Sequence, residues 1–407
     1  ARNRNLIRAR KLPVPFSMLE LFLDDVGDIF TAWVLAKYLG HKRKEYQLLH
    51  SGASQSSVSK LMEGKLNRII IEETSLLCLS ELGILDVVLE LFPEIIIKRS
   101  TYNSFSKATH FAMGSIYSAI PKKIISSLGA HLDRITVDGG VEASTFPINE
   151  YRDLSISNSP SVVVSDDAYV VEYLKGSGVE SINTLSLLDY LLTMKKLTPD
   201  EWSSLIEQFC GFGISAPSIS YDHVFQIMES YLRNNPGSEL LSTGFKYVFD
   251  TMFPVDTDFQ SAFAKISRIF SELLNRNQAN IDISVLKELL SVWLVRFPRL
   301  NKIELIAVWF VMTAADTEVR VESSLVRISK GQSLLWGMVK MLLLQEGGQY
   351  TVKDILVSIT NVVLEFDQTE ASDIFDIIKT SFVEGSAEYD TFVQIYSERA
   401  ISVRLRE

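Results

Sequence analysis

Between residues 65 and 230 the chain alternates short runs of β-branched residues with longer stretches of helical periodicity. The clearest runs are Arg68–Ile71 (RIII), Ile95–Ile97 and Ser161–Val164 (SVVV), and weaker ones lie at Ile135–Val137 and Val179–Ile182. Successive β-branched residues in a short run are typical of strands buried on both faces of a parallel sheet. The alternation therefore predicts an α/β domain with a parallel sheet and helices on both of its faces.

The flanking sequences have helical periodicity instead. Residues 16–39 predict a helix that ends at Gly40, and the serine-rich residues 51–60 predict a loop. After about Ser230 we expect no further strand, only amphipathic helices with short connections. Their starts are predicted near Glu239, Asp258, Ile283, Lys302, Gln332, Val352, Thr369 and Ala387. The expected division is an N-terminal helical segment at 1–64, the α/β domain at 65–230 and a C-terminal all-α domain at 231–407.

Several helix starts are marked by their capping residues. Thr198-Pro199-Asp200-Glu201 combines an N-cap threonine, a proline in the first helical position and a glutamate three residues after the threonine. The stretches Thr351–Asp354 (TVKD) and Asp256–Asp258 (DTD) are also clear helix starts. These signals predict where helices begin without reference to tertiary structure.

Composition narrows the class of protein. Of 407 residues, 47% are hydrophobic and 22% are charged, which is the profile of a globular protein. The net charge of −10 argues against a broad electrostatic grip on nucleic acid. Local basic groups remain, and they are Arg2, Arg4, Arg8, Arg10 and Lys11 near the start, Lys98-Arg99, and Lys122-Lys123. Each is compatible with a polyanion contact, although a solvated face is the simpler interpretation.

The cellular setting is inferred from the cysteines and from the apolar runs. Cys78 and Cys210 lie in apolar surroundings, which favours free buried thiols, a reducing compartment and hence a cytoplasmic location. No apolar run approaches the roughly 20 residues of a membrane-spanning helix, and we expect no membrane association. The sequence begins at Ala1 rather than Met, which indicates a processed chain or part of a larger parent chain.

Acidic pairs follow two of the predicted strands. Glu72-Glu73 comes after the first strand, and Asp166-Asp167 comes after SVVV. Ligands bind at the carboxyl ends of strands in open α/β sheets, and carboxylate oxygens are preferred ligands of Mg²⁺ and Mn²⁺. Such an ion activates water and neutralises a phosphodiester under attack. The alternative is that Glu73 and Asp166 cap the helices that follow them.

The order of these elements resembles a known family. The stretch IIIEETSLLCLSELGILDVVLELFPEIIIKRS resembles the opening of a PIN domain, and VVVSDDAYVVEYLKGSGVESINTLSLLDYLLTMKKLTPDEW resembles its closing part. In that family, a strand ends in an acidic residue followed by Thr or Ala and Ser, and the last strand ends in Thr/Ser-Asp-Asp. The family consists of metal-dependent nucleases that act mostly on RNA. The resemblance covers about 160 residues of the chain.

The resemblance implies specific site residues. Catalytic roles fall on Glu73, Asp166 and Asp167, and metal binding falls on these three together with Glu72. The second acid of the family lies in the helix after the second strand, where this chain has Asn103 instead. The third acid is expected in a helix just before the last strand, and Glu150 and Asp153 are the acidic residues near that position. The implied site therefore lacks one of its carboxylates.

Two functional hypotheses follow from these observations. The first is Mg²⁺- or Mn²⁺-dependent hydrolysis of RNA or another single-stranded nucleic acid. The second is a catalytically degenerate PIN-like scaffold that mediates protein–protein interaction through its helical region, and it rests on Asn103, the negative charge and the large C-terminal part. A small-molecule α/β enzyme is a third option, and no motif supports it.

Other residues with chemical potential have simpler interpretations. The histidines have no ligand spacing, and we expect them to be exposed or lightly packed; they are His41, His50, His110, His131 and His223. The C-terminal aromatics lie in helical patterns and are expected to form the core; they are Trp293, Phe297, Trp309, Phe310 and Trp336.

Overall fold

The fold was analysed in a computed structural model. It describes residues 14–23, 26–40, 42–50, 55–110, 116–138, 147–158, 160–215, 219–234, 243–253, 259–276, 290, 301–319, 335–343 and 350–404. Contacts divide the chain into two compact units, the first formed by Ala1–Ser230 with Thr243–Asp256 and the second by Tyr231–Ser242 with Thr257–Glu407. Among the described helices, none combines the length and apolar character needed to cross a membrane.

The first unit contains the predicted parallel sheet. Its strands are β2 (Arg68–Ile71), β3 (Glu94–Lys98), β4 (Ile135–Asp138), β5 (Ser161–Val164) and β6 (Ser181–Ile182). Their order across the sheet is β4-β3-β2-β5-β6, and each neighbouring pair is parallel. The α/β fold class is thereby confirmed. The chain runs outward from β2 in both directions, so β2 and β5 flank the point where the order reverses, the usual ligand position in open α/β sheets.

Helices connect the strands and cover the sheet. Those of the first unit are α1 (Ile29–Leu39), α2 (Gln55–Met62), α3 (Glu73–Glu81), α4 (Leu85–Leu91), α5 (Arg99–Ala108), α6 (Ile116–Ala130), α7 (Pro147–Ser157), α8 (Ala168–Gly176), α9 (Thr184–Thr193), α10 (Pro199–Cys210), α11 (Tyr221–Asn234, which crosses the boundary between the units) and α12 (Thr243–Met252). One face of the sheet presents Ile70, Ile96 and Val163 to a core that includes Tyr151 and Leu154 of α7. Both cysteines are free and buried, as predicted.

The N-terminal segment differs from its prediction in two places. Residues 16–39 do not form one helix, because a 3-10 helix at Phe16–Leu21 is followed by a separate start at Asp28, whose side chain accepts a hydrogen bond from Thr31 N at 2.7 Å. The loop predicted at 51–60 is also wrong where it is described, since α2 occupies Gln55–Met62. In the first case the Asp28 cap divides a stretch of continuous helical periodicity, and in the second a helix forms in spite of the serine content.

A second, small sheet was missed by the periodicity. β1 (Leu48–Leu49) pairs in parallel with β7 (Ile214–Ser215), and strands of two residues leave no readable pattern. The pairing is accompanied by a close approach at Gly213, where φ is +71° and an added Cβ would lie 2.1 Å from Ala36 O. The contact requires glycine and attaches α1 to the rest of the first unit.

The described part of the second unit consists of helices. They are α13 (Phe259–Arg276), α14 (Lys302–Val319), a helical stretch at 335–343, α15 (Val352–Val363), α16 (Gln368–Lys379) and α17 (Ala387–Arg404). Complete capping boxes begin α10 at Thr198 and α15 at Thr351, as predicted. Trp309, Phe310 and Trp336 belong to the core. Several predictions lie outside the described residues: the basic run at 2–11, His41, the starts at Glu239, Asp256–Asp258, Ile283 and Gln332, Trp293 and Phe297.

We predict that the sheet core dominates the stability of the first unit. Ile70 of the central strand β2 is fully buried, so Ile70→Ala should lower the free energy of unfolding by about 3 kcal/mol through lost burial and the cavity it leaves. The matched control is Ile156→Ala, because Ile156 is 64% exposed, and that change should be nearly neutral. Urea unfolding of both variants measures the difference. Equal losses of unfolding free energy would contradict the prediction that Ile70 lies in the core and Ile156 outside it.

Candidate functional site

Parallel register brings the ends of three strands to one edge of the sheet. Ile71 of β2 is paired with Ile97 of β3 and with Val164 of β5. The next residue along each chain segment therefore lies at the same level, and these residues are Glu72 after β2, Lys98 at the end of β3 and Ser165 after β5. The predicted convergence of the two acidic pairs at this edge follows directly from the register.

The Glu73 carboxylate is surrounded by donors from three elements. Lys98 Nζ lies 2.9 Å from Oε1, and Thr101 Oγ1 donates to the same oxygen at 2.6 Å. The Tyr151 hydroxyl of α7 donates to Oε2. Burial raises the pKa of Glu73, but Lys98 and the hydrogen bonds from Thr101 and Tyr151 outweigh it and hold this pKa at about 2. Glu73 is thus an ionised carboxylate with its charge balanced inside the protein.

The pKa of Glu72 is shifted in the direction opposite to that of Glu73. Its side chain is fully buried and caps α3, because Oε2 accepts from Thr74 N at 2.9 Å. Burial raises the pKa of Glu72 well above its ordinary value, and the negative charges of Glu73 and Asp167 raise it further. Oε1 accepts no hydrogen bond from the described residues. The raised pKa favours the protonated form of Glu72, which lies beside the ionised Glu73.

Asp166 is buried among donors on both of its oxygens. Thr184 N donates to Oδ1 at 2.9 Å, while the Thr184 and Ser75 hydroxyls donate to Oδ2 at 2.5 and 2.8 Å. His50 Nε2 lies 3.3 Å from Oδ1. Burial raises the pKa of Asp166, but the interactions with His50 and Thr184 outweigh it, and this pKa lies below its ordinary value. The carboxylate links β5 to α3, to α9 and to the residue that follows β1.

The Asp167 carboxylate accepts hydrogen bonds from two main-chain N–H groups. Its Oδ1 caps α8 by accepting from Tyr169 N at 2.9 Å, and its Oδ2 accepts from Phe16 N. The second contact spans 151 residues of sequence and places the 3-10 helix at Phe16–Leu21 over this corner of the sheet. Asp167 is therefore a structural anchor for the N-terminal segment.

Helix capping, the alternative interpretation of the acidic pairs, is present in a shifted form. The caps are Glu72 and Asp167, whereas Glu73 and Asp166 had been expected in that role. In each pair, therefore, one carboxylate accepts a hydrogen bond from an N–H group at a helix start, and the other accepts hydrogen bonds from side chains. A sequence pattern could not assign these roles, because both members of each pair lie within one residue of the helix start.

The other acidic positions contribute little to the cluster. Asn103 of α5 is exposed, and Asp153 of α7 forms an ion pair with the adjacent Arg152 at 2.8 Å. Glu150 accepts a hydrogen bond from Ser100 Oγ at 3.2 Å and lines a cavity of about 470 Å³ beside Glu73 and Lys98. This cavity is the open side of the strand-end site.

The donor set does not fit the divalent ion that the resemblance implies. Mg²⁺ and Mn²⁺ need several oxygens free to converge on one point. Here the oxygens of Glu73, Asp166 and Asp167 already accept hydrogen bonds or ion pairs, and the remaining atom, Glu72 Oε1, belongs to a carboxyl that favours the proton. In the part of the chain that is described, no three His, Cys, Asp or Glu side chains are placed to hold a metal ion.

Two residues at this edge were misjudged from sequence. His50 is 2% exposed and contacts Asp166, so the expectation of a lightly packed or exposed histidine is wrong. Lys98 is 3% exposed and paired with Glu73, so the solvated face expected there is also wrong. Position at the end of a buried strand was the available signal for Lys98, whereas His50 follows a two-residue strand that the pattern did not reveal.

Comparison with known proteins adds no assignment. No family model matches the chain, and neither the curated proteins nor the solved structures gave a match. The functional argument consequently depends on the residues and their geometry.

We predict that the Glu72 carboxylate destabilises the fold at neutral and alkaline pH. Because its folded pKa is raised above the ordinary 4.5, its favourable contribution is complete below that pH and is lost as the pH rises toward the folded pKa. Glu72→Gln keeps a neutral acceptor for Thr74 N, so its free energy of unfolding relative to the parent should increase from pH 5 to pH 8. Urea unfolding at both pH values tests this, with the exposed Glu90→Gln as control; a pH-independent difference would contradict it.

Proposed function

We propose that this chain is a PIN-like scaffold that does not hydrolyse phosphodiesters and that presents its helical region to a protein partner. The observation that carries the proposal is the engagement of the strand-end carboxylates by internal donors. Glu73 is paired with Lys98, Asp166 is held by Thr184 and Ser75, and Asp167 binds main-chain N–H groups. Carboxylates engaged in this way stabilise the fold and are not available to activate water.

The geometry of Asp166 supports a structural role in particular. It is fully buried and receives its hydrogen bonds from α3 and α9, two helices on either side of β5 in sequence. Release of Asp166 to a metal ion would leave the buried Thr184 and Ser75 hydroxyls without their acceptor. Such a loss costs about 1–3 kcal/mol for each buried polar group.

The second unit offers a surface suited to a basic partner. Val383, between α16 and α17, is 76% exposed, the highest exposure among the large hydrophobic residues described. The preceding helix carries exposed carboxylates at a three-residue spacing, namely Asp367 (its N-cap), Glu370, Asp373 and Asp376, and Glu384 follows Val383. An apolar contact with charges around it is the usual layout of a protein interface, and acidic charges favour a partner with Lys and Arg.

Hydrolysis is the second candidate, and one observation favours it. The two acidic pairs lie at the ends of adjacent strands, at the point where the strand order reverses. This is the position at which α/β enzymes bind their ligands. The two candidates differ in whether a divalent ion displaces the internal donors, which an assay of cleavage decides.

We expect the purified chain to show no Mn²⁺-dependent cleavage of a fluorescent single-stranded RNA above the protein-free rate. Asp166→Asn should behave like the parent, because the parent carboxylate is engaged with Thr184 and Ser75. Gel electrophoresis of the RNA with and without Mn²⁺ measures cleavage. A parent that cleaves while Asp166→Asn does not would overturn the proposal; equal cleavage by both would show that the activity does not come from this site.

The interaction surface is tested by site-specific photo-crosslinking in cells that express the full chain. A photoreactive residue at position 383 should give a discrete protein adduct, and the same residue at position 132, where Leu132 is 60% exposed in the first unit, should not. The adduct should weaken as salt rises, because the proposed contact involves exposed charges. Adducts of equal yield at both positions, or none at 383, would count against this surface.

A further inference from the structure

Lys98 places an ammonium group inside the strand-end site. The residue ends β3, next to the central strand, and it is 3% exposed. Its Nζ lies 2.9 Å from Glu73 Oε1 and 4.5 Å from the centroid of the Tyr151 ring. A buried ammonium is costly unless negative charge offsets its lost hydration, so this position demands an explanation from the surrounding charges.

Neighbouring carboxyl groups, above all the ionised Glu73, supply that negative charge. Burial lowers the pKa of Lys98, but Glu73 raises it most strongly and Glu150 and Glu72 raise it further, so that the net shift is upward. Glu73, Glu150 and Lys98 all line the cavity of about 470 Å³. One cation thus lies among carboxylates at the carboxyl ends of parallel strands, where a divalent ion was expected.

We infer that Lys98 is a built-in replacement for a divalent cation, and that its removal converts this corner into a site for Mn²⁺ or Mg²⁺. The inference goes beyond the proposed partner binding and does not depend on it. The ammonium supplies one positive charge and three donors to Glu73 and its neighbours. Without it, the Glu73 carboxylate would keep its hydrogen bonds from Thr101 and Tyr151 but would lose the cation paired with it at the cavity that Glu150 also lines.

In a variant without the Lys98 ammonium group, the residues that remain at this corner would offer oxygen ligands to a divalent ion. Lys98→Gln removes the charge and leaves a shorter side chain with an amide oxygen, a hard ligand of the kind that these ions accept. Glu73 and Glu150 would supply carboxylate oxygens, and the cavity gives access to water, which Mg²⁺ and Mn²⁺ retain in their coordination shells. Lys98→Arg is the matched control, because it retains the positive charge.

The experiment is thermal unfolding and titration calorimetry of the full chain with MnCl₂. The parent and Lys98→Arg should shift in melting temperature by less than about 1 °C with Mn²⁺. Lys98→Gln should melt below the parent and recover by about 4 °C or more, with at least about tenfold tighter Mn²⁺ binding than the parent. Adding Glu73→Gln to Lys98→Gln should abolish the response.

Distinct outcomes overturn the inference. A parent that binds Mn²⁺ as tightly as Lys98→Gln would overturn it, and so would a folded Lys98→Gln that does not respond to Mn²⁺. If Lys98→Gln does not fold, the double variant Lys98→Met with Glu73→Gln is used, because it removes both charges. Its melting temperature should lie above that of either single variant. Additive losses of stability from the two changes would overturn the inference. Mn²⁺ binding by the parent without RNA cleavage refutes the role of Lys98 alone, whereas RNA cleavage by the parent that Asp166→Asn abolishes refutes the proposed scaffold function.

Discussion

A carboxylate taken out of water must be given donors or a cation in exchange, and the carboxyl edge of this sheet is organised around that constraint. Parallel register fixes Glu72, Lys98 and Ser165 at one level, and the acidic residues next to them have to be satisfied there. The donors come from distant parts of the sequence, since Phe16 N reaches Asp167 across 151 residues and Thr101 reaches Glu73 from α5. The N-terminal segment and several helices are therefore positioned partly by the needs of four carboxyl groups.

This constraint also separates the two functions that the acidic pairs suggested. A hydrolytic site keeps carboxylate oxygens free for a metal ion and its water, whereas a structural site uses them internally. The low pKa of Glu73, about 2, records how strongly Lys98, Thr101 and Tyr151 hold the charged form against the effect of burial. One residue earlier, burial and the neighbouring negative charges raise the pKa of Glu72 and favour its neutral form. Adjacent carboxyl groups with opposite shifts divide one negative charge between them, which reduces the repulsion that a metal ion would otherwise relieve.

Much of the fold was predictable because its signals are local. The β-branched runs gave β2, β3 and β5 within a residue of their bounds, and Thr198 and Thr351 marked helix starts through capping boxes that the structure contains. The errors occurred where the signal was short or where contacts outweighed it. The two-residue strands β1 and β7 carry no period, and Asp28 starts a helix inside a stretch whose periodicity looked continuous.

The sequence by itself determined the classes of element, the parallel sheet and the presence of acidic pairs at two strand ends, since side-chain period and branching act on the nearest residues. Tertiary structure alone decided what those carboxylates do. Whether an acid binds a metal, caps a helix or pairs with a lysine depends on which groups lie within about 3 Å of it. Lys98, Tyr151 and His50 reach the site through strand register and helix packing, and their roles cannot be read from neighbours in the chain.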